Sequence, residues 1–267
     1  MFSKLRSLFT APDPGPQTPP EPVASVPAGQ RVYAIGDIHG RLDLFEQLLQ
    51  RIKADDAARP SAETTLILLG DLVDRGPDSR GVVSRAMELV AGGSVRVLAG
   101  NHEEMMLGSL SSEETLRHFL RHGGRETLFS YGLQPEDYRR STIEELQQRM
   151  AALVPAEHVE FLQSLEDRIV IGDYAFVHAG VRPGVALDAQ SLSDLRWIRR
   201  EFLDHPGPHG HVIVHGHTIV PDPVVLPGRI GIDTGAFASG KLTALGMEGS
   251  ERWFLSAFIA AEADEAP

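Results

Sequence analysis

The 267-residue chain contains no cysteine. Disulfide frameworks, thiolate zinc sites and thiol nucleophiles are therefore excluded, and any metal centre must be built from His, Asp, Glu, Asn or water. Basic residues are scarce: 25 Lys and Arg stand against 37 Asp and Glu, for a formal net charge of −12. No basic stripe runs along the sequence, which argues against a general nucleic-acid binder. Anionic phosphate stays within reach where a metal or a local arginine reverses the field. No apolar run approaches the length of a membrane span. Residues 1–10 are too short a stretch, and too interrupted by Lys4 and Arg6, for a secretory signal, so a cytoplasmic location is the expectation. The hydrophobic fraction of 42% is ordinary, and the length suits one large α/β domain with a full core.

The organisation follows from composition and periodicity. Residues 1–29 read as an arm. Its start, with Phe2, Leu5, Leu8 and Phe9, could touch a membrane or partner, but a helix that short is marginal alone. The proline-rich stretch 11–28 reads as an extended, disordered linker whose partner the sequence does not identify. The domain is expected over 30–259, with a mainly helical insertion over about 103–167 and an acidic tail over 260–267.

Within the domain one stretch dominates: Gly70-Asp71-Leu72-Val73-Asp74-Arg75-Gly76. It follows Thr64–Leu69, a continuous apolar run expected of a buried parallel strand. Arg31–Gly36 reads as an earlier strand ending in Asp37-Ile38-His39-Gly40, and Ser94–Ala99 as a third ending in Gly100-Asn101-His102-Glu103. Amphipathic helices intervene, the second N-capped by Asp78. That is a parallel βαβαβ layout, whose ligands belong in the crevice at the carboxyl ends of the strands. Strands return at 168–171, 174–177 and 212–214, and the last two of these lead into His178-Ala179-Gly180 and His215-Gly216-His217-Thr218. Short β-like runs in the last third predict an antiparallel or mixed second sheet.

The polar residues at these strand ends are Asp37, His39, Asp71, Asp74, Asn101, His102, His178 and His217. A mixed Asp, His and Asn set without thiolate suits Mn²⁺, Fe²⁺ or Zn²⁺. A carboxylate able to bridge would make a two-metal site.

Taken in order, Gly36-Asp37-Ile38-His39-Gly40, Gly70–Gly76, Gly100-Asn101-His102-Glu103, His178-Ala179-Gly180 and Gly216-His217-Thr218 resemble the signatures of the calcineurin-like metallophosphoesterases. Asp74-Arg75 and Asn101-His102-Glu103 are similar to the phosphoprotein phosphatase branch. Gly123-Gly124 and Ile232-Asp233-Thr234-Gly235-Ala236 resemble its compact bacterial and phage-type members. The resemblance implies an α/β fold of two mixed β-sheets packed as a sandwich flanked by helices. It implies two divalent metals, Mn²⁺ foremost with Fe²⁺ or Zn²⁺ as alternatives, held by Asp37, His39, Asp71, Asn101, His178 and His217, with Asp71 bridging. His102 would protonate the leaving group, oriented by Asp74. Arg75 and Arg199 would clamp phosphoryl oxygens, with Arg196 and Arg200 as rivals for the second place. It implies direct attack by a metal-bridging hydroxide, without a phosphoenzyme.

The activity so implied is hydrolysis of phosphoserine or phosphothreonine on a phosphoprotein partner, with phosphotyrosine also accepted. The alternative is a dinucleoside tetraphosphate hydrolase, a sister group whose members tend to lack the Asp-Arg pair. A non-catalytic phosphoprotein-binding scaffold is the reading from another class, and it is opposed by the complete set of ligands. Outside the motif set, His118, His122 and His158 read as surface or packing histidines, His205, His209 and His211 as a solvated loop cluster, and His215 as structural. Residues 235–241 have the Gly-x-x-x-x-Gly-Lys skeleton of a P-loop, but Leu242 stands where Ser or Thr should meet Mg²⁺ and a strand follows instead of a helix.

Overall fold

The computed structural model describes residues 23–259. Calls on the stretch 1–22 and on the tail 260–267 lie outside the described residues. Strands β1 (Gln30–Ile35), β2 (Glu63–Leu68) and β3 (Val95–Val97) alternate with helices α1 (Leu42–Ala58) and α2 (Ser79–Ala91). They pair in parallel, as the βαβαβ reading requires. The expected cap is present: the Asp78 side chain accepts from the Gly81 amide at 2.8 Å.

A helical stretch follows: α3 (Asn101–Ser109), α4 (Glu113–Phe119), a π-turn over Leu120–Gly124, α5 (Arg125–Ser130), α6 (Pro135–Arg140), α7 (Ile143–Leu153) and α8 (Ala156–Gln163). Then come β4 (Ile169–Ile171), β5 (Tyr174–Phe176), α9 (Leu192–Trp197), α10 (Arg200–Leu203), β6 (Val212–His215), β7 (Val224–Leu226), β8 (Arg229–Gly231), α11 (Ala236–Ser239), β9 (Lys241–Glu248) and β10 (Glu251–Phe258).

The strands form two mixed five-stranded sheets, ordered β10-β9-β1-β2-β3 and β4-β5-β6-β8-β7. Side-chain alternation sorts each strand between layers. Val32 and Ala34 of β1 face the second sheet and pack with Phe176, Val214 and Ile230, while Tyr33 and Ile35 face α1 and α2. On the far side of the second sheet, Ala175 and Ile213 pack with Leu195 and Phe202 of α9 and α10. The result is helix, sheet, sheet, helix. β2 lies inside its sheet with apolar contacts on both faces, which explains its unbroken apolar run.

Two expectations are corrected. The last third does not all join the second sheet: β9 returns antiparallel to β1 and carries β10 with it. The physical reason is in β9 itself, where Leu242 and Ala244 supply the helix-facing core and Leu245 and Met247 the inter-sheet core. The arm also does not run free up to residue 29. Val26 is 2% exposed within the inter-sheet core, its amide donates to the Gly249 carbonyl at 2.8 Å, and Ser25 and Asp173 exchange hydrogen bonds. The Gly235–Lys241 stretch holds the single turn of α11 and leads into β9, so no P-loop is formed.

Candidate metal centre

The strand ends of both sheets converge on Asp71. Its carboxylate lies 3.5 Å from His39 Nε2 and 3.3 Å from His178 Nε2. Two triads of possible ligand atoms share it: His39, Asp71 and His102, and Asp71, His178 and His217. Asn101 Oδ1 is 3.0 Å from His178 Nε2. Asp37 stands beside these triads, and both its oxygens accept from the His217 amide, at 3.1 and 3.0 Å. A Cβ at Gly216 would overlap Asp37 Oδ1, so this approach needs glycine there. The six residues expected as ligands are thus brought to one buried place.

Backbone and histidine tautomers are both set for this arrangement. His39 Nδ1 donates to the Val73 carbonyl and His178 Nδ1 to the Leu69 carbonyl, each at 2.8 Å, which turns both Nε2 lone pairs inward. Among the described residues, five non-glycine residues have positive φ: His39 at 47°, Asp71 at 49°, Asp74 at 75°, Arg75 at 68° and His217 at 64°. All belong to the site. Such conformations persist only where the surroundings impose them.

The donor set fits a cation on three observations. His217 Nε2 is buried without a hydrogen-bond partner. Burial drives the His39 imidazole down to about 3 and His217 to about 2, so both are neutral; the Nε2 lone pair of His39 accepts from Arg75, and Nε2 of His217 has no partner. Burial, with the neighbouring charges of Asp233 and Asp71, pushes the Asp37 carboxyl well above its usual range. A pair of divalent ions there would relieve that repulsion and would supply Lewis acidity and an acidified water.

Within the first triad, His102 Nδ1 bonds Asp74 Oδ2 at 2.5 Å. Burial alone would lower His102; Asp71 and Asp74 outweigh it and raise it above its ordinary value. The guanidinium of Arg75 donates to His39 Nε2 at 2.8 Å and to His102 Nε2 at 2.9 Å, with its carbon 4.8 Å over the Phe237 ring. Arg199 reaches the His217 carbonyl at 3.4 Å. Arg196 is committed to Glu104 and Asp167, while Arg199 and Arg200 are both exposed; of the three it is Arg199 whose guanidinium bonds a residue of the centre.

Several residues here went without a role in the sequence reading. Glu103 is fully buried and accepts from the amides of Asp71, Leu72 and Gly100 at 2.7–2.8 Å, tying the central turn to α3. Its place three residues into a helix was a readable capping signal. Thr127 donates to Asp74 Oδ1 at 2.6 Å, and the Gly123 carbonyl accepts from the Arg75 amide at 3.1 Å. The helical insertion is therefore part of the site wall. His158, by contrast, bonds Tyr131 away from the centre, and buried His215 packs on Phe202.

Fold and site together define a metallophosphoesterase, and residues 30–246 match the calcineurin-like phosphoesterase family, to which the chain belongs. A symmetrical bis(5'-nucleosyl)-tetraphosphatase of Acidovorax ebreus is 36% identical over 156 residues, covering 57% of this chain and 44% of the relative. Serine/threonine-protein phosphatase 1 of Salmonella typhimurium is 28% identical over 182 residues, covering 67% of this chain and 73% of the relative. This chain spans less than half the length of the curated tetraphosphatases it matches. A solved structure of a candidate diadenosine tetraphosphatase has a TM-score of 0.58 at 22% identity, over 88% of this chain and 99% of its own. No described helix is long and apolar enough to cross a membrane.

Proposed function

We propose that this metallophosphoesterase hydrolyses dinucleoside tetraphosphates, the alternative among the sequence-based readings. The observation that carries it is the set of bacterial tetraphosphatases that share 35–44% identity with it. Asp37, His39, Asp71, Asn101, His178 and His217 would hold two divalent ions, Mn²⁺ foremost, which would supply Lewis acidity and an acidified water. The forks of Arg75 and Arg199 grip phosphoryl oxygens and hold the scissile group in line. When Arg75 turns from His102 Nε2 to the phosphoryl oxygens, that nitrogen, with the ring set by Asp74, is free to carry a proton for the departing oxygen.

The His102–Asp74 pair favours a second reading, a serine/threonine-type protein phosphatase. A nucleoside diphosphate leaves readily as an anion, whereas a serine or threonine alkoxide needs a proton. A buried imidazole raised by two carboxylates is suited to giving one. The Salmonella relative supports this reading.

The test strips the protein of metal, titrates it with Mn²⁺ and compares a dinucleoside tetraphosphate with a phosphoserine peptide. Metal-dependent kcat/KM higher on the dinucleotide by an order of magnitude is the expected result. The opposite preference would move the assignment to the protein phosphatase. His102→Asn is expected to slow the peptide far more than the anhydride while metal content stays the same.

A further inference from the structure

A cleft of about 330 Å³ opens beside the metal centre, between α3, α4 and α9. We propose that it is a nucleobase subsite in which one purine of the dinucleotide stacks on Trp197; the inference rests on the tetraphosphate reading above.

The cleft adjoins the reacting end of the site. Met105 on its floor lies three residues beyond His102 on the same helix, about 4.5 Å of rise. Trp197 lies two residues before Arg199, which faces His217. A base attached through a ribose and two phosphates to the reacting phosphorus can span that separation. The wall is aromatic and held in place. The Trp197 indole N–H donates to Glu104 Oε1 at 3.3 Å, and Arg196 holds the other Glu104 oxygen at 3.0 Å. The indole edge is therefore occupied, and the ring offers its face. His118 flanks it at a tilt of 48°, with ring centroids 6.4 Å apart, and is itself backed by His122 at 4.1 Å. Burial lowers the His118 imidazole, which leaves it a neutral aromatic surface.

The rim suits a nucleotide as well. Glu104 is held at the ring edge by Arg196 and the indole N–H. Exposed Glu114 offers an acceptor for an exocyclic amine, and exposed Arg121 offers a cation for the phosphate chain. Stacking on a fixed aromatic face tolerates any base and is sensitive to removal of the ring.

The test measures binding to the Mn²⁺-loaded protein, with adenosine diphosphate and inorganic pyrophosphate as probes. The diphosphate is expected to bind about tenfold or more tightly than pyrophosphate and to quench Trp197 fluorescence. Trp197→Ala should remove that advantage, Trp197→Phe should retain most of it, and His118→Ala should reduce it. Equal affinity for the two probes in the unmodified protein would overturn the subsite. So would an advantage that survives Trp197→Ala, or one that both Trp197 variants lose equally. Nucleotide preference without dinucleotide turnover would instead overturn the catalytic reading and keep the subsite. Dinucleotide turnover with equal probe affinities would do the reverse.

Discussion

Thr127 comes from the helical insertion and has no sequence signature, yet it holds Asp74, the partner of the proposed proton donor His102. Its hydroxyl donates to Asp74 Oδ1 at 2.6 Å and accepts from the Asp74 amide at 2.9 Å, and Ser79 Oγ bonds both, each at 2.9 Å. Thr127→Val keeps the shape and removes the hydroxyl. Ser79 can still receive the amide, but Oδ1 of a carboxylate with no solvent exposure is left without a donor. A hydrogen bond to a charged group contributes about 1.5–3 kcal/mol. If that loss fell wholly on folding, stability would drop by the same amount and kcat would hold. If it fell wholly on the orientation of His102, kcat would fall by about 10–150-fold at 1.4 kcal/mol per decade. Division between the two is expected: about 1–2 kcal/mol from urea unfolding, and about a tenfold loss of kcat on an alkyl phosphate with KM little changed. An aryl phosphate, whose leaving group needs no proton, should lose less than threefold (about 0.6 kcal/mol). Equal losses on both substrates would refute the link from Thr127 through Asp74 to proton donation.

Other perturbations test separate parts of the structure. Asp71→Asn should cost both metals together, read by elemental analysis of the purified protein, because both triads share this carboxylate; loss of one metal would refute the sharing. Gly123→Ala should raise KM severalfold and lower the melting temperature, since Gly123 has φ of 108° and a Cβ there would sit 2.6 Å from Arg75 Cγ. Asp55 accepts from Tyr33, Arg59 and Trp253 at 2.6–2.9 Å. Burial alone would raise its carboxyl, but these donors outweigh it and hold it below its ordinary value. A depressed carboxyl stabilises the fold above its unfolded pKa of about 3.9 and loses that contribution as pH falls through its folded value. Asp55→Ala should therefore cost about 2 kcal/mol at pH 7, and the gap from the unmodified protein should narrow below about pH 4. A gap that is constant with pH would mean that the effect is packing alone.

The centre was largely legible because its chemistry is concentrated where strands end. A buried strand followed by a ligand-type side chain with glycine close by is a local pattern, and Asp37, Asp71, Asn101, His178 and His217 each sit in one. The second arginine was harder to place, since Arg196, Arg199 and Arg200 are sequence neighbours and only tertiary pairing with Glu104 and Asp167 removes Arg196. Thr127 and Phe237 were not legible: each meets the site through a contact between elements distant in sequence, and nothing in their local pattern marks it. Gly123-Gly124 stood out as a pair, but its contact with Arg75 did not. Sheet membership of β9 was hidden for a related reason. Alternation says that both its faces are buried, not which sheet it joins. Val26 was missed because proline-rich composition says nothing of whether a short apolar residue docks.

The hydrogen bonds from the His217 amide to Asp37 join residues 180 positions apart. The pocket is thus closed by the first and the last of its motifs, and the chain between them must be threaded into both sheets beforehand. Parallel pairing of β1 with β2 and of β5 with β6 demands crossover connections, which close slowly. During synthesis, the nascent chain cannot assemble a working centre until residue 217 has left the ribosome. If His217 is a ligand as proposed, an incomplete chain is expected to be inactive, and activity should appear only late in folding.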